Sequence, residues 1–338
     1  MSLSSASARI GPLVSLILLV LLPCTTLAQS PDGGPVSVLG SDALQIGGLI
    51  QTDAYLGREI GDGFRARSAR VRLGGRAESL SYVVQTELTS PEVLLDALTR
   101  LSLTDRVQLS AGLFKTPYSG EILTPRPNLL FAERARVVNN LAPARQVGAT
   151  LSGDLIPDRL TATVGAFNGT SGLQANDNDH LLYVGRLAST TPTGAGPLSL
   201  GVNAGYSIDD QVQAPRPVSF SGRRFLIGGD AQLDADQWLL AGEVHYAALD
   251  PDDPTRDAYA PFGYYVAGGI DVAPSHQLLA RIDRYDPDVP GLTSPDHQVT
   301  LGYNFFATSA VRALINYQAP TTDLADGFIT LRLQAALQ

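Results

Sequence analysis

Residues 298–319 read QVTLGYNFFATSAVRALINYQA. Gln298, Thr300, Gly302 and Asn304 alternate with Val299, Leu301, Tyr303 and Phe305, the two-residue period of a strand with unlike faces. Thr308-Ser309 then reverses the chain, and Val311, Ala313, Ile315 and Tyr317 oppose Arg312, Asn316 and Gln318. Trp238, Leu240, Val244 and Tyr246 oppose Glu243 and His245 in the same way. A soluble sandwich also alternates, so the period alone decides nothing. Length does: these segments run to ten residues or more, against roughly five or six in ordinary strands.

Working outward, the rhythm holds from Leu44 to Gln338. Strand candidates fall at 44–57, 64–78, 80–90, 92–104, 106–115, 145–155, 158–168, 179–190, 196–208, 222–234, 236–249, 259–273, 275–285, 295–307, 309–319 and 325–337. Tight turns at Pro157-Asp158, Asp234-Ala235-Asp236, Pro274-Ser275 and Thr308-Ser309 alternate with longer connections at 116–144, 169–178, 209–221, 250–258 and 286–294. The connection near Pro91 is the short exception. A closed barrel is the only strand-built structure that satisfies its backbone inside a bilayer. The reading is an all-β fold: a transmembrane antiparallel β-barrel of about sixteen strands over 44–338, with short periplasmic turns and long extracellular loops. Tyr55, Phe64, Tyr118, Phe167, Tyr183, Phe225, Tyr246, Tyr285, Phe306 and Tyr317 lie near strand ends, where interfacial girdles belong.

The first 28 residues have the pattern of a secretory signal: a weakly basic start with Arg9, an apolar run from Leu13 to Leu22, and Thr26-Leu27-Ala28 before Gln29. That run is half of what a spanning helix needs. Residues 29–43 read as a flexible lead. Loss of the signal removes Cys24, the one cysteine, and with it any disulfide framework or thiolate metal site.

The formal charge is −9, which excludes a nucleic-acid footprint. The acidic excess sits in loop segments such as Asp209-Asp210 and Asp250–Asp253, and reads as solvated surface. The run Asn176-Asp177-Asn178-Asp179 has no defined cation-ligand spacing. The strand phase sets a different balance inside. Opposing each apolar face places Arg70, Arg72, Arg76, Arg100, Arg186, Arg224, Arg281, Arg312 and Arg332 in the lumen wall, with Glu87, Asp96, Asp230, Glu243, Asp271 and Asp283. A wet lumen tolerates such charges, whereas lipid-facing Arg costs roughly 2–4 kcal/mol at mid-depth.

The long connection 116–144 carries Arg126, Arg134, Arg136, Glu121 and Glu133, flanked by Lys115 and Arg145. Folded into the barrel, it would form a cationic constriction, and rings of Arg or Lys select anions. Internal Arg–carboxylate pairing that stiffens the wall is the competing role for the same residues.

Phe114-Lys115-Thr116-Pro117-Tyr118-Ser119-Gly120-Glu121 resembles the Phe-Lys-x-Pro-[Phe/Tyr]-Ser-x-Glu segment of the phosphate-selective porin O and P family. The stretch Phe131 to Gly148 resembles the Glu-Arg-x…Pro-x-Arg-x-x-Gly stretch that follows there, and Gly165-Ala166-Phe167-Asn168-Gly169 resembles its Gly-x-Phe-Asn-Gly strand end. The resemblance implies a sixteen-stranded, trimeric outer-membrane channel. Two departures stand out. Lys115 is the sole lysine, so a lysine-rich binding surface is absent, and the chain ends Leu333–Gln338 without a terminal aromatic.

These readings combine into an outer-membrane porin: passive diffusion of small hydrophilic solutes, leaning towards phosphate or other small anions, as a homotrimer in outer-membrane lipid. No cofactor or metal is expected. A closed structural barrel or surface receptor is the alternative. An outer-membrane hydrolase built on His245 and Glu243 is the weaker one, because no nucleophile elbow or zinc spacing accompanies His180, His245, His276 or His297.

Overall fold

The computed structural model describes residues 44–57, 61–213, 219–289 and 297–337. The expected signal (1–28) and lead (29–43) lie outside the described residues. Sixteen strands follow in order: β1 (Gln45–Leu56), β2 (Gly63–Ala77), β3 (Leu80–Glu87), β4 (Leu94–Ser102), β5 (Val107–Lys115), β6 (Arg145–Ile156), β7 (Leu160–Phe167), β8 (Leu182–Thr193), β9 (Gly196–Gln213), β10 (Ser219–Asp234), β11 (Trp238–Pro251), β12 (Phe262–Ala273), β13 (His276–Asp286), β14 (Gln298–Phe306), β15 (Val311–Pro320) and β16 (Phe328–Leu337). Each pairs antiparallel with its sequence neighbour, and β1 closes on β16 from Gly48↔Leu337 to Leu56↔Ile329. Closure leaves no free edge, so every strand finds its partners within the wall.

Connections of two to four residues gather at one rim and those of five to 29 residues at the other. Large apolar side chains such as Ile50, Leu151, Val202, Leu240, Leu301 and Leu333 are exposed around the outside. A belt of that extent has no place in water and fits a lipid face. Phe64, Tyr183, Phe225 and Tyr246 are exposed on that surface too, as expected of a girdle.

Other expected girdle aromatics turn inward. Tyr118, Phe167 and Tyr285 are buried, Tyr55 donates to Asp53, and Phe306 packs under the Arg312 guanidinium. A position near a strand end fixes depth, but only the phase fixes the face. Phe167 is accommodated by Gly148, where an added Cβ would come within 2.4 Å of the ring.

Strand phase also breaks once with consequence. Gln51 pairs with Ser68 but Thr52 pairs with Ala66, so Arg67 is an extra residue in a β-bulge. Arg67 and Ser68 therefore both reach inward, to Glu133 and Glu87 respectively.

Within the 116–144 connection lie the short helices α1 (Gly120–Leu123) and α2 (Arg136–Leu141), with a 3-10 turn at Arg126–Asn128 between them. This segment does not stand above the barrel rim. Its Tyr118, Phe131, Ala135, Val137, Val138 and Leu141 join one buried cluster with Leu226, Ala247, Leu249, Tyr265, Leu279 and Tyr285 from the inner wall of β10–β13. The sequence reading assigns charged and polar residues to the inner face. Here it is apolar, because the segment covers it.

Candidate pore constriction

The buried segment is held by hydrogen bonds as much as by packing. Arg312 donates to the carbonyls of Leu129 and Leu130 at 2.8 and 2.9 Å, and Asn304 donates to that of Leu130. Asn316 accepts from the Ala132 N–H, and Arg332 donates to the Ala132 carbonyl. Arg281 donates to the Glu133 carbonyl while its guanidinium lies 4.7 Å from the Phe131 ring centroid. These arginines satisfy backbone groups that the irregular segment leaves open inside the barrel.

Ion pairs complete the fastening. Glu133 accepts from Arg67 through both oxygens at 2.7 and 2.9 Å, and from Arg332 at 2.9 Å. Arg332 in turn holds Asp53. Arg136 pairs with Asp283 at 2.7 Å. Burial alone would raise the Glu133 carboxyl, but Arg67 and then Arg332 outweigh it and hold it at about 2. Glu121 goes the other way: burial pushes it up to about 7, against the attraction of Arg281 at 3.8 Å.

At the neck of the segment, Glu243 accepts from Ser119 Oγ at 2.6 Å, from the Glu121 N–H and from His245 Nε2 at 2.8 Å. Gly228 makes room for the imidazole, since an added Cβ would lie 2.3 Å from its Nδ1. The Ser119 hydroxyl points at the carboxylate rather than at the histidine. The cluster thus ties the neck of the segment to β11 through the Glu243 carboxylate.

On the opposite side the segment stands away from the wall. A cavity of about 760 Å³ opens there, lined by seven basic side chains and one carboxylate, Asp96. Arg70, Arg145 and Arg186 line it while paired to Glu87, Asp96 and Asp230. Lys115 donates to the carbonyls of Leu123 and Thr124. Arg72, Arg100 and Arg126 have no carboxylate within 4.0 Å among the described residues. Nε and Nη1 of Arg126 are buried without an acceptor. Burial, then Arg67 and Arg70, depress the Arg126 guanidinium to about 9. A second cavity of about 500 Å³ behind α1 is acidic, with Glu121, Asp230 and Glu243 around Arg186.

The expected constriction residues thus separate. Lys115, Arg126 and Arg145 line the cationic cavity, and Glu121 the acidic one. Arg134 lines neither: it donates to the carbonyls of Glu121 and Thr124 within the segment. Arg136 and Glu133 are spent on ion pairs. Among the expected wall arginines, Arg70, Arg72, Arg100 and Arg186 line the cavity. Arg224 is buried against Asp209, Arg281 and Arg312 hold the segment, and Arg76 sits exposed at the turn rim against the Glu78 carbonyl. Alternation alone puts Arg67 on the lipid side and misses it, because the bulge that turns it inward leaves no mark in the period. In the 176–179 run the asparagine side chains accept from backbone N–H groups two residues on, as turn caps.

Residues 53–245 match the family described as phosphate-selective porin O and P. The chain belongs to that family. No curated protein sequence matches it. Similar solved structures are outer-membrane barrels. A loop L8 deletion mutant of OmpT from Vibrio cholerae is 15% identical with a TM-score of 0.65, over 87% of this chain and 99% of that one. The trimer form of in-vitro folded OmpT from the same organism gives 13%, 0.62, 87% and 99%. OmpF of Salmonella typhi, in complex with daunomycin, gives 11%, 0.60, 87% and 98%. At such identities these neighbours speak for the fold, and the family for an outer-membrane porin.

Proposed function

We propose that this porin passes small hydrophilic solutes by diffusion through the cationic side of its lumen, favouring anions such as phosphate. The observation that carries the reading is the set of arginines Arg72, Arg100 and Arg126 lining the cavity with no carboxylate within 4.0 Å among the described residues. Their charge offsets the cost of partly dehydrating an anion and opposes a cation. The segment 116–144 narrows the passage, and Lys115, Arg126 and Arg145 form its basic edge. The channel works as a homotrimer in outer-membrane lipid after export and cleavage behind Ala28, and the trimer form of in-vitro folded OmpT supports that assembly.

Planar-bilayer recording under a salt gradient tests this. Stepwise conductance with a reversal potential towards anions is expected. A channel without conductance steps would be a closed barrel, and a cation-selective one would remove the role given to the arginines. Mass spectrometry of the exported protein, expected to begin at Gln29, checks the cleavage.

A further inference from the structure

The cationic cavity has a second character that charge does not explain. Leu123 on α1, 37% exposed, lies at the divide between this cavity and the acidic one and lines both, inside a lumen otherwise rich in charge. Pro125 and Pro127 continue that apolar edge of the segment. Across the cavity, Val83 and Leu98 are cross-strand partners facing inward among Arg72, Gln85 and Arg100. The donation from Lys115 to the carbonyls of Leu123 and Thr124 fixes α1 so that Leu123 stays presented. The same donation also takes the sole lysine ammonium out of contention as a free ligand for an anion.

We propose that this cavity binds organic anions carrying an apolar body, alkyl or aryl carboxylates, in preference to inorganic oxyanions. The inference rests on the anion-selective reading above and replaces phosphate, the example given there, with this substrate class. A carboxylate meets the guanidinium groups of Arg72 and Arg100, whose planar forks match its two oxygens, while Arg126, with Nε and Nη1 buried, adds its charge at the cavity edge. The alkyl or aryl body lies along Leu123, Pro125 and Pro127, where removing apolar surface from water is favourable. Inorganic phosphate gains nothing from that edge, and it must exchange a complete hydration shell for donors on one side only.

Blocking of chloride current through the purified protein in planar bilayers decides the matter, with acetate, hexanoate, benzoate and inorganic phosphate as probes at neutral pH. Hexanoate and benzoate should half-block at concentrations about tenfold below acetate, and phosphate should do no better than acetate. Tenfold corresponds to about 1.4 kcal/mol, or roughly 55 Å² of apolar surface buried at about 25 cal/mol per Å². Leu123→Ser should narrow the benzoate-to-acetate ratio about threefold, and Leu123→Phe should widen it. An anion-selective channel that ranks phosphate first, or treats benzoate and acetate alike, overturns the proposal and leaves the porin reading standing. An unchanged ratio in both variants overturns the assignment to this edge. Absence of anion selectivity removes the anion-selective reading and this one with it.

Discussion

The two halves of the lumen use the same residue, arginine, for opposite ends. Along β13–β16, Arg281, Arg312 and Arg332 are nearly inaccessible and donate to carbonyls of the inward segment. Along β2–β4, Arg72 and Arg100 line the open cavity with no carboxylate within 4.0 Å of either among the described residues. The difference lies in what stands opposite. An irregular segment inside a barrel brings unpaired carbonyls, and guanidinium groups are the donors that reach several at once. Where no segment approaches, the charge stays free to act on solute. Counting inward arginines therefore overstates the field in the pore, since most of them hold the fold.

The largest way to break this contrast is to remove a fastening arginine. Arg332→Ala leaves Asp53 buried without its ion-pair partner and takes one of two arginines from Glu133. Losing one partner of a buried pair costs about 3–5 kcal/mol. The variant should unfold at lower temperature in heat-modifiable mobility and show noisier, larger conductance as the segment loosens. A quiet wild-type conductance would refute the fastening role.

Next in size is the open side. Arg72→Glu combined with Arg100→Glu should carry the reversal potential from the anion side to the cation side, with little change in thermal mobility, since neither arginine is paired. A shifted stability with unmoved selectivity would exchange the roles assigned to the two halves. Arg67→Ala should fall between them. It strips the bidentate hold on Glu133 but leaves Arg332 there, so open-channel noise should rise less than in Arg332→Ala.

The barrel itself was legible because lipid on one side and water on the other impose a two-residue period on every strand. All sixteen strand segments read from the sequence overlap the sixteen strands of the structure. Tyr285 and Leu279 show where the pattern stops informing. An inward residue covered by the segment is apolar for the same reason as an outward one in lipid, and no local signal separates them. Arg67 shows a second limit, since one inserted residue reverses the face without altering composition. The pairing of Arg281 with a carbonyl rather than a solute depends on a contact 148 positions away in the chain. Spacing along a strand cannot reveal that.

The smallest effect separates the two carboxylates of the segment by pH. Glu133 is depressed to about 2 from an ordinary 4.5, so its contribution is complete above 4.5 and is lost as pH falls through 2. Glu121 is raised to about 7 from the same ordinary value, so its contribution is complete below 4.5 and is lost as pH rises through 7. The two limbs slope oppositely, and the segment should be held best near pH 4.5. Open-channel noise recorded from pH 3 to 9 should pass through a minimum there. Glu121→Gln cannot ionise but keeps an oxygen for the Ala135 N–H. It should flatten the alkaline limb and spare the acid one. If the alkaline limb survives in Glu121→Gln, some group other than this carboxyl loosens the closed half of the lumen.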